Sequence, residues 1–260
     1  MQSTIKLNYE ERGTGLPVLL IHGFPFDHTI WRAQIDSLSD SYRIIAPDLR
    51  GHGQSPVPND PYLMDIMARD LVELLDTLGI DKAVWVGHSM GGYITMAALR
   101  DALDRILSVA LVATHPLADP EDRRIQRLAS AETAEQTGSS ATATSMMAIA
   151  FAPQVDRKSN MAQNVFDIMA ATSPIGIAGA LRGMAQRPDS LDTLRNISVP
   201  AIVMGGTEDQ IVKPDLMQQM AADMPHTRFV TIDGAGHLPM LEKPDEFSQA
   251  LRRFLNSLAG

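Results

Sequence analysis

Apolar residues recur along this chain with two alternating periods. Short β-branched or aliphatic runs fall at 18–21, 43–46, 83–86, 108–112, 201–204 and 228–232. Several are continuously apolar, the pattern of strands covered on both faces. Helical spacing fills the intervals. Over 65–78, Ile66, Leu71, Leu74, Leu75 and Leu78 fall near one face, and Gly79 supplies a stop. Helices are also predicted over 92–103 and 244–258. Strand–helix alternation with short links predicts an α/β fold: a mostly parallel sheet flanked by helices on both faces. Ile5, Leu7 and Tyr9 alternate, which predicts an N-terminal strand at the sheet edge.

The alternation breaks once. From 115 to 195 no strand is predicted, only helix-like stretches rich in Ala and Met, and five of the 15 Met fall here (Met146, Met147, Met161, Met169 and Met184). Most of these serve helical packing. The segment as a whole reads as a helical cap inserted into a core made of 1–114 and 196–260. Laid over the C-terminal edge of the sheet, its flexible thioethers suit a pocket for varied apolar groups. Phe151 and Phe166 are its only aromatic residues.

Composition narrows the function classes. With 260 residues, 45% hydrophobic and 20% charged, the chain can bury a large core. Its formal charge is −9 and no stretch concentrates Lys or Arg, so neither nucleic acid nor a membrane is an expected partner. Cysteine is absent, which excludes disulfides, thiolate metal sites and a Cys nucleophile. The first residues, MQSTIKLNYEERG, lack a basic region followed by an apolar one, and a cytoplasmic location is expected.

The chemistry concentrates in Gly87-His88-Ser89-Met90-Gly91. An apolar strand precedes this G-x-S-x-G and a helix follows, the context of a nucleophile elbow. Reversal within a few residues puts Ser89 at a strained turn, where side chains at 87 or 91 would meet the neighbouring backbone. A serine hydroxyl needs a base. His237, in IDGAGHLPM, sits on a small-residue loop directly after a strand, at the same sheet edge as Ser89. His22, His52 and His88 adjoin tight turns and fit backbone roles, while His28, His115 and His226 read as solvated loop or cap residues. The acid that orients the base is Asp209 in GGTEDQIVKP, with Glu208 as a substitute and Asp119 as a more distant candidate. Two N–H groups would receive an oxyanion: Met90, next to the nucleophile, and Phe24, after the strand that ends in His22-Gly23.

With HGFPFDHTIW (22–31), DLRGHGQS (48–55), GHSMGG (87–92), GTEDQIVKP (206–214) and GAGHLPMLEKPDEF (234–247), the chain resembles the α/β-hydrolase family, and within it compact bacterial serine carboxylesterases and enol-lactone hydrolases. GIAGALRGMAQRPDS (176–190) is similar to a stretch in both. The resemblance implies the α/β-hydrolase fold with an inserted helical cap, the Ser89–Asp209–His237 triad and the Phe24/Met90 oxyanion hole. It makes Asp48, Arg50, Gly51, His52, Gly53 and Ser55 a structural loop. An elbow Ser rather than Asp argues against dehalogenase and epoxide hydrolase chemistry. No clustered His motif points to a metal, and no G-x-G-x-x-G after a strand points to a nucleotide cofactor, so none is expected. The expected activity is cofactor-free cleavage of small carboxylic esters. Lactone hydrolysis with perhydrolase side activity, and a hydrolase-fold small-ligand sensor, are the alternatives. Phe24, Met147, Phe151 and Leu238 are the expected substrate contacts, in a pocket suited to short acyl chains.

Overall fold

The computed structural model describes residues 3–258. Seven strands form one sheet: β1 (Tyr9–Arg12), β2 (Leu16–Ile21), β3 (Tyr42–Pro47), β4 (Ala83–His88), β5 (Ile106–Val112), β6 (Ala201–Gly206) and β7 (Arg228–Ile232). Their spatial order is β1-β3-β2-β4-β5-β6-β7. Only β1 runs antiparallel, on β3 at the edge; the other neighbours are parallel. Both faces of the central strands are dry. Ala83 and Trp85 of β4 belong to the core on one face, and Val84 and Val86 to the core on the other. This is why β4 reads as an unbroken apolar run.

Helices α2 (Met64–Thr77), α3 (Met90–Asp101) and α9 (Pro214–Asp223) supply the first core, and α1 (Arg32–Leu38) and α11 (Pro244–Asn256) the second. The helices predicted over 65–78, 92–103 and 244–258 correspond to α2, α3 and α11. The predicted N-terminal strand lies later than Ile5 and Leu7 suggest, because side chains take the backbone bonds a ladder would have used. Ile5 N–H donates to Asp70 Oδ1 at 3.0 Å and Asn8 N–H to Ser55 Oγ at 2.9 Å. The alternating apolar side chains still pack inward, Leu7 being buried.

Strand order fixes where a ligand can sit. From β2 the chain steps to β3 on one side, then returns to β4 on the other. The crevice outside the C-terminal ends of β2 and β4 is therefore a topological switch point. Above this edge, between β5 and β6, run α4 (Glu121–Thr137), α5 (Ser139–Met147), α6 (Asn160–Ala171), α7 (Pro174–Ala185) and α8 (Leu191–Arg195). Helix α4 packs on α7, and α5 on α6. Helix α7 lies directly on the 51–62 loop: a Cβ on Gly183 would stand 1.8 Å from Tyr62 O, and one on Gly176 1.9 Å from Gly51 O. The glycines of GIAGALRGMA are the means by which this helix touches the core backbone.

Candidate active site

Ser89 follows β4 with φ 50° and ψ −111°, a conformation that costs a non-glycine residue on the order of 1–3 kcal/mol. The surroundings enforce it. A Cβ at Gly87 would lie 2.4 Å from Gly91 O, and one at Gly91 2.5 Å from Ile21 O. Ser89 N–H donates to Val112 O at 2.8 Å, and Thr114 Oγ1 donates to Ser89 O at 2.9 Å. The serine is thus locked onto β5 while its side chain stands free of the sheet, at the N-terminus of α3. Met90 is the first residue of that helix, so its N–H lies outside the intrahelical ladder.

The loop after β7 brings His237 to the same edge. Its Nδ1 lies 2.8 Å from Asp209 Oδ2, with both side chains buried. The other carboxylate oxygen, Oδ1, accepts from the N–H groups of Ile211 and Val212 at 2.8 and 3.0 Å. Asp209 is therefore anchored as an acceptor, and the ring nitrogen facing it carries the proton. Glu208 does not take this position; its N–H is bonded to Ala235 O. Asp119 is engaged elsewhere, by Arg127 and Arg187.

The loop carrying His237 is stitched from below by a residue that the sequence did not single out. Glu242, in the short helix α10 (Pro239–Glu242), accepts from Gly236 N–H at 3.0 Å and Leu238 N–H at 3.2 Å through Oε1, and from Ala152 N–H at 2.9 Å through Oε2. Burial raises its pKa, opposed by those three N–H groups. His237 N–H in turn donates to Ala150 O at 3.1 Å. These bonds tie the helical insertion to the histidine loop, as does Gln154 Nε2 donating to Gly234 O at 2.6 Å.

Ser89, His237 and Phe24 line one cavity of about 290 Å³ together with residues of α4, α5 and α7. Three expected contacts are not part of its lining. Phe151 is fully buried in the second core, with the Arg157 guanidinium 5.4 Å from its ring centre. Leu238 is fully buried in the same core. Met147 is displaced by its neighbour: one residue along an α-helix turns the side chain by roughly 100°, and Met146 lines the cavity instead. Tyr93, Ala141, Ile149, Leu181, Met184 and Ile211 also contribute to its wall.

The remaining histidines divide by partner. His22 Nε2 accepts from Leu49 N–H at 2.9 Å, leaving Nδ1–H for Gly23 O, also at 2.9 Å. His52 Nδ1 bonds Arg50 O and His88 Nε2 bonds His237 O, both at 2.9 Å. Burial, and then the neighbouring His22, push His52 down to about 3, and burial with the nearby His237 ring holds His88 well below the ordinary range. All three are neutral braces for the backbone. His28 and His115 are not the solvated residues expected. His28 Nδ1 lies 2.6 Å from Asp48 Oδ1, and His115 Nε2 lies 3.1 Å from Tyr93 Oη. Among the described residues, Asp27, His28 and Asp48 form the one cluster with metal-ligand spacing. Its atoms are already engaged: Asp27 Oδ1 accepts from Thr29 N–H, and Asp48 Oδ2 accepts from Asn8 and Gln54. Asp48, Ser55 and Arg50, the last paired to buried Asp70 at 2.6 Å, hold the 48–55 loop together.

A mostly parallel sheet with a serine elbow, a buried Asp–His pair and a cavity at the switch point is the arrangement of a hydrolase-type fold. The sequence profile of the alpha/beta hydrolase fold family matches residues 17–244, and the chain belongs to that family. It is 30% identical over 233 residues (89% of this chain, 85% of the other) to 3-oxoadipate enol-lactonase 1 of Acinetobacter baylyi. Its structure matches that of a thermophilic esterase from Thermogutta terrifontis, solved with malate bound, at TM-score 0.96 and 39% identity, covering 98% of this chain and 94% of that one. It also matches the enol-lactonase from Burkholderia xenovorans at TM-score 0.89 and 28% identity, with 96% of each chain covered.

Proposed function

We propose that this protein is a serine carboxylesterase that cleaves small esters through an acyl-enzyme. The observation that carries the reading is the buried 2.8 Å contact between His237 Nδ1 and Asp209 Oδ2, on a ring that lines the same cavity as Ser89. With its proton on Nδ1, facing the carboxylate, the imidazole has its Nε2 lone pair available as a base. Ser89 Oγ attacks the ester carbonyl carbon as Nε2 takes the hydroxyl proton. The carbonyl π pair moves onto oxygen, which Phe24 and Met90 N–H receive. Collapse of this intermediate restores the C=O bond and expels the alcohol, which leaves with the proton held by His237. Water repeats the sequence on the acyl-enzyme and releases the acid and Ser89. The helices of 115–195 act as a cap that keeps bulk water from the acyl-enzyme, in a cytoplasmic enzyme that needs no cofactor.

A cavity of about 290 Å³ lies at the small end of ligand sites, roughly 300–1,000 Å³, which favours short acyl groups. Lactone opening uses the same steps with the leaving alkoxide tethered to the acyl group, and the enol-lactonase relatives favour it as a second reading. In Ser89→Ala, hydrolysis of p-nitrophenyl acetate should fall on the order of 10⁶-fold in kcat, and a fluorophosphonate should label the wild type at Ser89 only. Near-normal turnover in that variant would end the reading. Tight ligand binding with negligible turnover by the wild type would favour a sensor.

A further inference from the structure

The cavity that holds Ser89 and His237 is not uniformly apolar. Helix α4 sends Arg123 and Arg127 into its lining, one turn apart, with Gln126 beside them. The two arginines are unequal. Arg127 is paired with Asp119, but that carboxylate also binds Arg187 at 2.8 Å. One carboxylate therefore serves two guanidinium groups. Arg123 has no carboxylate partner among the described residues; its one hydrogen bond is from Nη1 to the neutral Gln126 Oε1, at 2.6 Å. Asp119 is shared by Arg127 and Arg187, and among the described residues no carboxylate joins Arg123 and Arg127 in the cavity lining.

His115 lies within the field of these arginines. Burial pushes His115 down to about 4, and Arg187, Arg127 and Arg123 all act in the same direction. A neutral ester gives Arg123 nothing to pair with. An ester whose far end is ionised brings the missing carboxylate and meets a fork of donors shaped for it.

We propose that Arg123, supported by Arg127, binds the free carboxylate of an anionic substrate, so that the site takes half-esters of short dicarboxylic acids. The inference rests on the serine-esterase reading for turnover and on the cavity alone for binding. It makes the cap helix α4 a specificity element: the apolar wall accepts the short methylene chain, and the arginine fixes which end faces Ser89. Arg123 is exposed at the cavity rim, so solvent and salt compete with the pairing.

Monomethyl and dimethyl glutarate share one skeleton and differ in one charge. For the wild type, kcat/KM should favour the monoester about tenfold at low salt, with the difference in KM, and the ratio should shrink in 0.5 M NaCl. Arg123→Gln should collapse the ratio toward one, and Arg123→Lys should restore part of it. Calorimetric titration of monomethyl glutarate into Ser89→Ala, with and without Arg123→Gln, reads binding apart from chemistry. Binding that depends on Arg123, with neither ester turned over by the wild type, would uphold the anion site and overturn the esterase reading. Turnover of the diester equal to that of the monoester, with a ratio insensitive to Arg123→Gln, would overturn the anion site and leave the esterase standing.

Discussion

Replacing Gly183 by Ala sets two effects of opposite sign against each other. Gly183 lies inside α7, where Ala is the better helix former by about 1 kcal/mol. Propensity alone therefore predicts a more stable protein. The structure predicts the reverse. The added Cβ would stand 1.8 Å from Tyr62 O and 2.3 Å from Tyr62 C, both backbone atoms. An ordinary C···O contact is about 3.3 Å or more, so helix and loop must separate by roughly 1.5 Å. No side-chain rotation relieves this, and the loop is itself tied to α7 by Tyr62 N–H donating to Gly179 O at 2.9 Å. Overpacking typically costs about 1–3 kcal/mol, and a clash between two backbones belongs at the upper end. The net expectation is about 2 kcal/mol of destabilisation, a fall in Tm of about 4–8 °C for a chain of this size.

The same displacement should reach the cavity, because α7 carries Leu181 and Met184 into its wall. Gly183→Ala should therefore broaden the acyl chain-length profile as well as lower Tm. Calorimetry and a series of p-nitrophenyl esters measure the two effects on one preparation. A Tm equal to or above the wild type would refute the close-approach argument and leave propensity as the dominant effect.

Glu242→Gln replaces an acceptor of three N–H groups by an amide with one acceptor oxygen; it should cost about 1–3 kcal/mol by urea unfolding and lower kcat about tenfold by loosening the His237 loop, and an unchanged kcat would show that the loop holds itself. Phe151→Ala should cost about 3–5 kcal/mol with an unaltered chain-length profile, whereas Met146→Trp should move the optimum to shorter acyl groups; a profile shifted by Phe151→Ala would return that ring to the pocket wall. The His28–Asp48 pair makes stability depend on pH. The hydrogen bond to Asp48 raises the His28 pKa, and although burial would raise Asp48, the His28 ring and the Gln54 and His28 N–H groups outweigh it and hold the carboxyl well below the usual range. The His28 contribution is full below the ordinary histidine pKa of about 6.5 and is lost as pH rises through its raised value, while that of Asp48 is lost only as pH falls toward its depressed one. His28→Gln should therefore destabilise by about 1–2 kcal/mol at pH 5.5 and by less at pH 8.5 in urea titrations; a penalty that grew with pH would contradict the assignment.

The candidate centre was legible in the sequence because each of its residues is placed by a local backbone constraint. Gly87 and Gly91 flank Ser89 since nothing larger fits beside Gly91 O or Ile21 O. Apolar runs mark the strands, and strand ends mark the sheet edge at which Ser89, Asp209 and His237 emerge. The same logic separates His237 from His22, His52 and His88, which adjoin tight turns and bond to backbone atoms. Glu242 was hidden because its partners are N–H groups on two other segments, and no spacing in the chain announces them.

The wall of the pocket follows a different physics. Which residues of α4 and α5 face the substrate depends on how each helix is rotated on its neighbours, and one residue changes the answer by roughly 100°. Met146 and Met147 both pack against the second core, but only Met146 lines the cavity. Nothing in the sequence singles out Arg123, because the cavity it meets is built by other segments. The two kinds of determination imply two kinds of consequence. On the proposed esterase reading, changes at the strand ends should act on kcat, whatever the ester, since they would alter the geometry of the reacting groups. Changes on α4, α5 and α7 should act on KM and on the choice among esters, since they alter what fits and what charge is welcome. Relatives that share this elbow can therefore differ in substrate through helix rotations that leave every strand-end residue in place.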